Sequence, residues 1–154
     1  GIGSRFNKQV IGPVQGAIDL AEMLCSLKGY GRAESMTQGF ALLEAADVVV
    51  SPSREESFGF SAVDAWAARR PIVAADVPAV RRVIRPDVDG RLVPVDDHEA
   101  LATAVVALLA DPAAAATLGN AGRARVEADF RWDVVVDRWD RFLTGLVAAR
   151  RGGT

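Results

Sequence analysis

The chain has 154 residues, half of them apolar and a quarter charged, with a formal net charge of −2 and a pI near 5.4. That length supports one domain with a buried core, and the mild acidity lacks the concentrated basic face of a nucleic-acid binder. The single cysteine, Cys25, excludes an intrachain disulfide and a cysteine metal site, and with a single histidine, His98, no conventional zinc site is expected. No cofactor is expected.

Residues 1–34 are rich in glycine and contain one expected strand, over about 23–27, in the apolar run that holds Cys25. No complete βαβ unit can be assembled there, so this stretch reads as an irregular N-terminal segment ahead of a domain over 35–150. Ser35 is placed to cap a helix bearing Met36, Phe40 and Leu43 at helical spacing. Asp47 then leads into Val48-Val49-Val50, a β-branched run expected to be a buried parallel strand. The polar loop Ser51-Pro52-Ser53-Arg54-Glu55-Glu56-Ser57 leaves the C-terminal end of that strand. A helix over about 61–69, a strand over 71–74, a short helix over 80–84, a turn over 87–90 and a strand over 91–93 follow in order.

The last third reads as helical. Asp96 and Glu99 have the spacing of a capping box ahead of Leu101, Ala104, Val105, Leu108 and Leu109. Asp111-Pro112 is a cap followed by proline at a first helical position. In the final helix Trp132, Val135, Val136, Trp139, Phe142, Leu143, Leu146 and Val147 form an apolar stripe, expected to lie on a core. Neither a signal peptide nor a run of about 20 apolar residues is present, so the expected compartment is the cytosol. Arginines cluster at 69–70, 81–85 and 150–151; they read as solvated helix ends, with contact to an anionic membrane surface as the sharper alternative.

Strands alternating with helices predict an α/β fold, a single domain with a Rossmann-like parallel sheet and flanking helices. Ligands of such sheets bind outside the carboxyl ends of the strands, which directs attention to the loop from Ser51 to Phe60. Within Glu56-Ser57-Phe58-Gly59-Phe60-Ser61-Ala62-Val63-Asp64, one carboxylate stands in the loop and another in the helix after it. Free N–H groups at that helix start suit a diphosphate, Gly59 admits close approach of the backbone, and the carboxylates can accept hydrogen bonds from hydroxyls. Each part also has a structural reading. Ser61-x-x-Asp64 is itself a capping box, Glu56 suits a solvated loop acid, and Phe58 and Phe60 suit a core.

Asp47-Val48-Val49-Val50-Ser51-Pro52-Ser53, Glu56-x-Phe58-Gly59 and Asp64-Ala65 resemble the C-terminal domain of the group 1 glycosyltransferases, retaining enzymes built from two facing Rossmann-like domains with a Glu-x7-Glu motif. The likeness runs on through Pro71-Ile72-Val73-Ala74, Asp89-Gly90-Arg91-Leu92-Val93-Pro94, Gly119-x-x-Gly122-Arg123 and Phe130-Arg131-Trp132. It implies that Glu56, as the catalytic acid position, holds the donor sugar's hydroxyls. Backbone amides from Ser57 to Phe60 would approach the sugar and diphosphate, with Ser61 in the same turn, and Asp64 would bind the ribose. The implied reaction transfers a sugar from a nucleoside diphosphate donor to an unidentified acceptor with retention, without a metal. Lys28, in Ser26-Leu27-Lys28-Gly29-Tyr30-Gly31-Arg32, falls at a strand end that resembles the family's diphosphate-binding basic pair, with the second basic residue displaced to Arg32 or lost.

Three positions depart from the family pattern. Asp64 replaces a glutamate, Arg69 stands where glycine is common, and Arg82 stands where a glutamate is common. If position 69 needs a left-handed backbone, arginine there costs about 1 kcal/mol. The family's further strands and its acceptor domain have no counterpart in this sequence. The expectation is therefore a donor-binding half with an incomplete sheet, inactive alone and needing an acceptor-domain partner. The alternative is a non-catalytic nucleotide-sugar-binding or homodimerising module, since an unpaired sheet edge invites association.

Overall fold

Two βαβ crossovers organise the part of the protein that the computed structural model describes, residues 36–151. The strand expected over 23–27, Cys25 and Lys28 lie outside the described residues. Helix α1 (Met36–Ala45) leads into β1 (Val49–Ser51), α2 (Phe60–Ala67), β2 (Ile72–Ala75), α3 (Pro78–Val83), β3 (Arg91–Val93), α4 (His98–Ala110) and α5 (Pro112–Arg125). A π-helical turn (Val126–Phe130) and α6 (Trp132–Arg151) complete the order.

The described strands form a three-stranded parallel sheet in the order β1-β2-β3. Val49 lies opposite Ile72, Val50 opposite Val73, and Val73 opposite Arg91. Alternation along β2 sends Ile72 and Ala74 to one face and Val73 to the other. The first face is covered by Ala62, Ala65 and Trp66 of α2 and Val80 and Val83 of α3. The second is covered by Leu101, Val105 and Leu108 of α4 and Ala115 and Leu118 of α5. Helices on both faces bury β2 completely, which is why it reads as a continuous apolar run. Fully burying a side chain the size of Ile72, Ile84 or Leu108 contributes about 1.5–3 kcal/mol.

Glycines set the distance between α2 and α5. A Cβ on Gly122 would enter the Trp66 ring, and one on Gly119 would strike the Arg69 carbonyl. This close approach explains the Gly119-x-x-Gly122 spacing. The end of α2 is a Schellman cap: the Arg69 N–H donates to the Trp66 carbonyl at 2.9 Å and the Arg70 N–H to the Ala65 carbonyl at 2.8 Å. Its left-handed residue is Arg69, at φ 58°. Arg69→Gly should therefore raise stability by about 0.5–1 kcal/mol, since the relief of left-handed strain exceeds the extra entropy of the unfolded chain. Denaturant titration would read this as a higher midpoint at unchanged slope.

Two expectations need correction. The cap of α4 is Asp97, whose carboxylate accepts from the Ala100 N–H at 2.8 Å. Asp96 instead takes a left-handed backbone, φ 63°, and turns its carboxylate to Arg54. The apolar stripe of α6, expected on a core, faces solvent in the described residues: Trp132 is 80% exposed, and Trp139, Phe142, Leu143, Leu146 and Val147 are all exposed. The helix leaves the sheet from the π turn, tied back by the Arg138–Asp129 ion pair at 2.6 Å. Amphipathic spacing encodes a face to be buried without naming what buries it.

Candidate functional site

Two loops leave the carboxyl ends of adjacent parallel strands, residues 52–59 after β1 and Asp76-Val77 after β2. Between them, where such sheets bind ligands, lies a broad open cleft of about 940 Å³, near the upper end of the usual size for a small-molecule site. The loop after β1 contributes Arg54, Glu55, Glu56, Ser57 and Phe58. The start and far end of α3 contribute Val77, Pro78, Ala79 and Arg82, and the opposite wall is Arg125, Asp129, Phe130 and Arg138.

The Glu56 carboxylate folds back on its own turn and accepts the Gly59 N–H at 3.0 Å. That bond holds the loop in a tight turn and leaves further lone pairs on the half-buried carboxylate for ligand hydroxyls. Gly59 is required for its backbone, φ 98°; a Cβ there would lie in ordinary contact with Val80, so the turn's conformation rather than ligand clearance accounts for the glycine. Phe58 packs at 4.8 Å between ring centroids on Phe60 and edge-on to Phe130 at 6.1 Å, which pins the loop tip to the π turn. Phe60 is 67% exposed and belongs to no core.

The capping-box reading of Ser61 and Asp64 is not realised. Gly59 is the cap residue of α2, without a side-chain cap bond, and the Ser61 hydroxyl donates to Ser51 at the end of β1 at 3.2 Å. Asp64 is thus free of that structural duty. It stands exposed on α2, and partial burial raises its pKa above the usual aspartate value. The cleft brings together Glu56, Ser57 and Phe58, whereas Gly59, Phe60, Ser61 and Asp64 do not line it. Lys28 lies outside the described residues. Among the described residues no cluster of His, Cys, Asp and Glu could hold a metal ion.

Arg125 and its anchor were not visible as site elements in the sequence. Asp89, fully buried, accepts from the Arg85 backbone N–H at 2.7 Å and from Arg85 Nε at 2.6 Å, with Arg125 Nη1 at 3.3 Å. Its carbonyl accepts Trp66 Nε1 at 2.6 Å. Arg125 also donates to the Val83 carbonyl and lies 5.6 Å from the Trp66 ring centre. This arrangement ties α2, α3 and α5 together behind the cleft. The Asp87-Val88-Asp89-Gly90 turn was legible locally, but no local pattern signals a contact between residues 36 positions apart.

The sequence model of the family described as glycosyl transferases group 1 matches residues 17–111. The chain is 43% identical over 108 residues to D-inositol 3-phosphate glycosyltransferase 1 of Catenulispora acidiphila, an alignment covering 70% of this chain and 26% of that protein. It is 34% identical over 138 residues to phosphatidyl-myo-inositol mannosyltransferase of Mycobacterium leprae, covering 89% of this chain and 35% of the relative. Among solved structures, sucrose-phosphate synthase of Thermosynechococcus elongatus superposes with a TM-score of 0.65 at 40% identity, over 73% of this chain and 28% of that one. The Anabaena protein HepE in complex with UDP superposes with a TM-score of 0.62 at 27% identity, over 74% of this chain and 30% of that one. The chain spans about a quarter to a third of the length of these relatives.

Proposed function

The chain belongs to the group 1 glycosyltransferases, and we propose that it supplies the donor side of such an enzyme, binding a nucleoside diphosphate sugar for transfer with retention to an acceptor held by a further domain. The observation that carries this reading is the placement of Glu56 in a cleft at the carboxyl ends of a parallel sheet, with its backbone turn opening α2. The complex of the related HepE with UDP supports the class of ligand. Glu56 takes the sugar hydroxyls, the turn over 57–61 faces the diphosphate, Asp64 takes the ribose, and Lys28 supplies a further diphosphate contact. Holding donor and acceptor together supplies much of the rate of such a transfer, so turnover requires the acceptor domain.

Calorimetry of the full chain against UDP-, GDP- and ADP-sugars tests the reading. Binding of one of them in the micromolar to millimolar range is the expected result, and no binding to any refutes it. The pH dependence adds a check on Asp64. Its ionised form accepts ribose hydroxyls, so donor affinity should fall as pH drops through its pKa, which partial burial raises above the ordinary aspartate value. Asp64→Asn should abolish that step. Unliganded, the sign is opposite: the folded carboxyl binds its proton more tightly than the unfolded one, so this contribution to stability is present at low pH and is lost as pH rises through the raised pKa.

A second reading, an association module without turnover, is favoured by the exposed apolar face of α6. Light scattering separates the two, because a monomeric chain that binds a nucleotide sugar excludes it.

A further inference from the structure

Two side-chain contacts tie the loop over 52–59 to distant parts of the chain: Arg54 to Asp96 in the turn before α4, and Phe58 to Phe130 in the π turn. They differ in kind. Arg54 and Asp96 are both exposed, and an ion pair in that setting contributes little and is screened by salt. The Phe58 ring meets Phe130 edge-on, with 6.1 Å between centroids, in an apolar contact that salt does not screen. The aromatic contact is therefore the stronger of the two ties.

Phe58 stands inside the turn that the Glu56–Gly59 bond closes, two residues after the carboxylate and one before the N–H it accepts. Holding that ring holds the turn, with Glu56 at its start. Phe130 is itself fixed from behind. Its ring lies 6.4 Å from the ring of the fully buried Trp66 and 5.8 Å from the Arg125 guanidinium, which pairs with the buried Asp89. Its neighbour Asp129 lies between two arginines, Arg138 of α6 at 2.6 Å and Arg125 at 3.7 Å. Contacts thus run from the core through Phe130 to Phe58 and the Glu56 turn, and both phenylalanines line the cleft. Resting on the proposed donor-binding reading, we propose that Phe130 is a positioning residue for the donor: it seats Phe58 and so fixes the turn from which Glu56 reaches the sugar. A binding group held by packed neighbours of this kind is ordered before the ligand arrives, which lowers the entropy lost on binding.

The test follows the Gly59 amide of the full chain by NMR hydrogen exchange and donor affinity by calorimetry with UDP and with UDP-, GDP- and ADP-sugars. The variants are Phe130→Ala, Phe130→Leu, Phe130→Tyr, Phe58→Ala and the double Phe58→Ala/Phe130→Ala. Without the ring at 130 the Glu56–Gly59 bond should open more often. The Gly59 amide should then exchange about 2–10-fold faster, and UDP and the nucleotide sugar should both bind about 2–10-fold more weakly, the contribution of one aromatic pair. Phe130→Leu keeps most of the apolar volume and should show the same two effects, which guards against an alanine variant that fails to fold; Phe130→Tyr should restore both. Because Phe130 acts through Phe58, the double variant should bind within about twofold of Phe58→Ala alone. Leu92→Ala, on β3 against the same core, should lower the melting temperature and leave Gly59 exchange and donor affinity unmoved, which separates positioning from general loosening. Three results overturn the proposal: Gly59 exchange unchanged in Phe130→Ala and Phe130→Leu, single-variant losses that multiply in the double variant, or Leu92→Ala reproducing the Phe130→Ala pattern. A wild type that binds no nucleotide sugar refutes the donor-binding reading instead, and the role of Phe130 toward a donor falls with it.

Discussion

Replacing Asp89 by alanine should lower folding stability by about 3–5 kcal/mol, the usual cost of removing one partner from a buried ion pair. The carboxylate is fully buried and serves the Arg85 backbone, the Arg85 side chain and Arg125 at once. Its removal leaves the largely buried Arg125 without its buried counter-charge and the Arg85 N–H without a partner. Water reaches Arg85, which is half exposed, so part of the penalty is recovered there. Arg125 keeps Asp129 at 3.7 Å and the Val83 carbonyl, so the loss is softened there as well, while the Trp66 and Phe130 rings hold its guanidinium in place. The thermal midpoint should fall by roughly 10–20 °C. Asp89→Asn preserves shape and one acceptor and should lose less. A loss below about 1 kcal/mol for the alanine variant, a surface-like value, would show that the turn over 86–90 holds without the carboxylate. Because Arg125 and Val83 also line the cleft, ligand affinity of the folded variant should decline too.

Glu56→Ala should weaken binding of the best-bound nucleotide sugar by about 10–150-fold, corresponding to the roughly 1.5–3 kcal/mol of a hydrogen bond to a charged group. The comparison with UDP alone separates two explanations. If Glu56 contacts the sugar, UDP affinity stays within about twofold, since no contact to the nucleotide is lost. If the carboxylate matters only as the acceptor for the Gly59 N–H at 3.0 Å, the whole turn loosens and UDP and UDP-sugar weaken together. The thermal midpoint reports on the same bond; a net loss near 1 kcal/mol is expected from one half-buried N–H left unpaired. An alanine variant that binds the sugar nucleotide as tightly as the wild type would remove Glu56 from the site.

The alternation of helix and strand from residue 36 onward, the apolar β2, the Asp111-Pro112 helix start and the Glu56 loop were all legible in the sequence, because each rests on interactions within a few residues. At Arg69 the resemblance to a family with glycine there raised strain only on the condition of a left-handed backbone, and φ 58° meets that condition. Boundaries were less secure where two acids compete, as when Asp97 rather than Asp96 caps α4. The identity of the cleft's far wall was not legible. Arg125 and Asp129 come from the end of α5 and the π turn, and the close α2–α5 packing permitted by Gly119 and Gly122 holds that end of the chain against the body that carries the Glu56 loop. The same holds for Asp89, which reads as an ordinary turn acid until tertiary contact makes it a buried anchor. Local patterning prescribes which faces must be hidden and which turns are affordable; the partners of buried charges, and the exposed state of the α6 stripe among the described residues, depend on chain separations that no local pattern encodes.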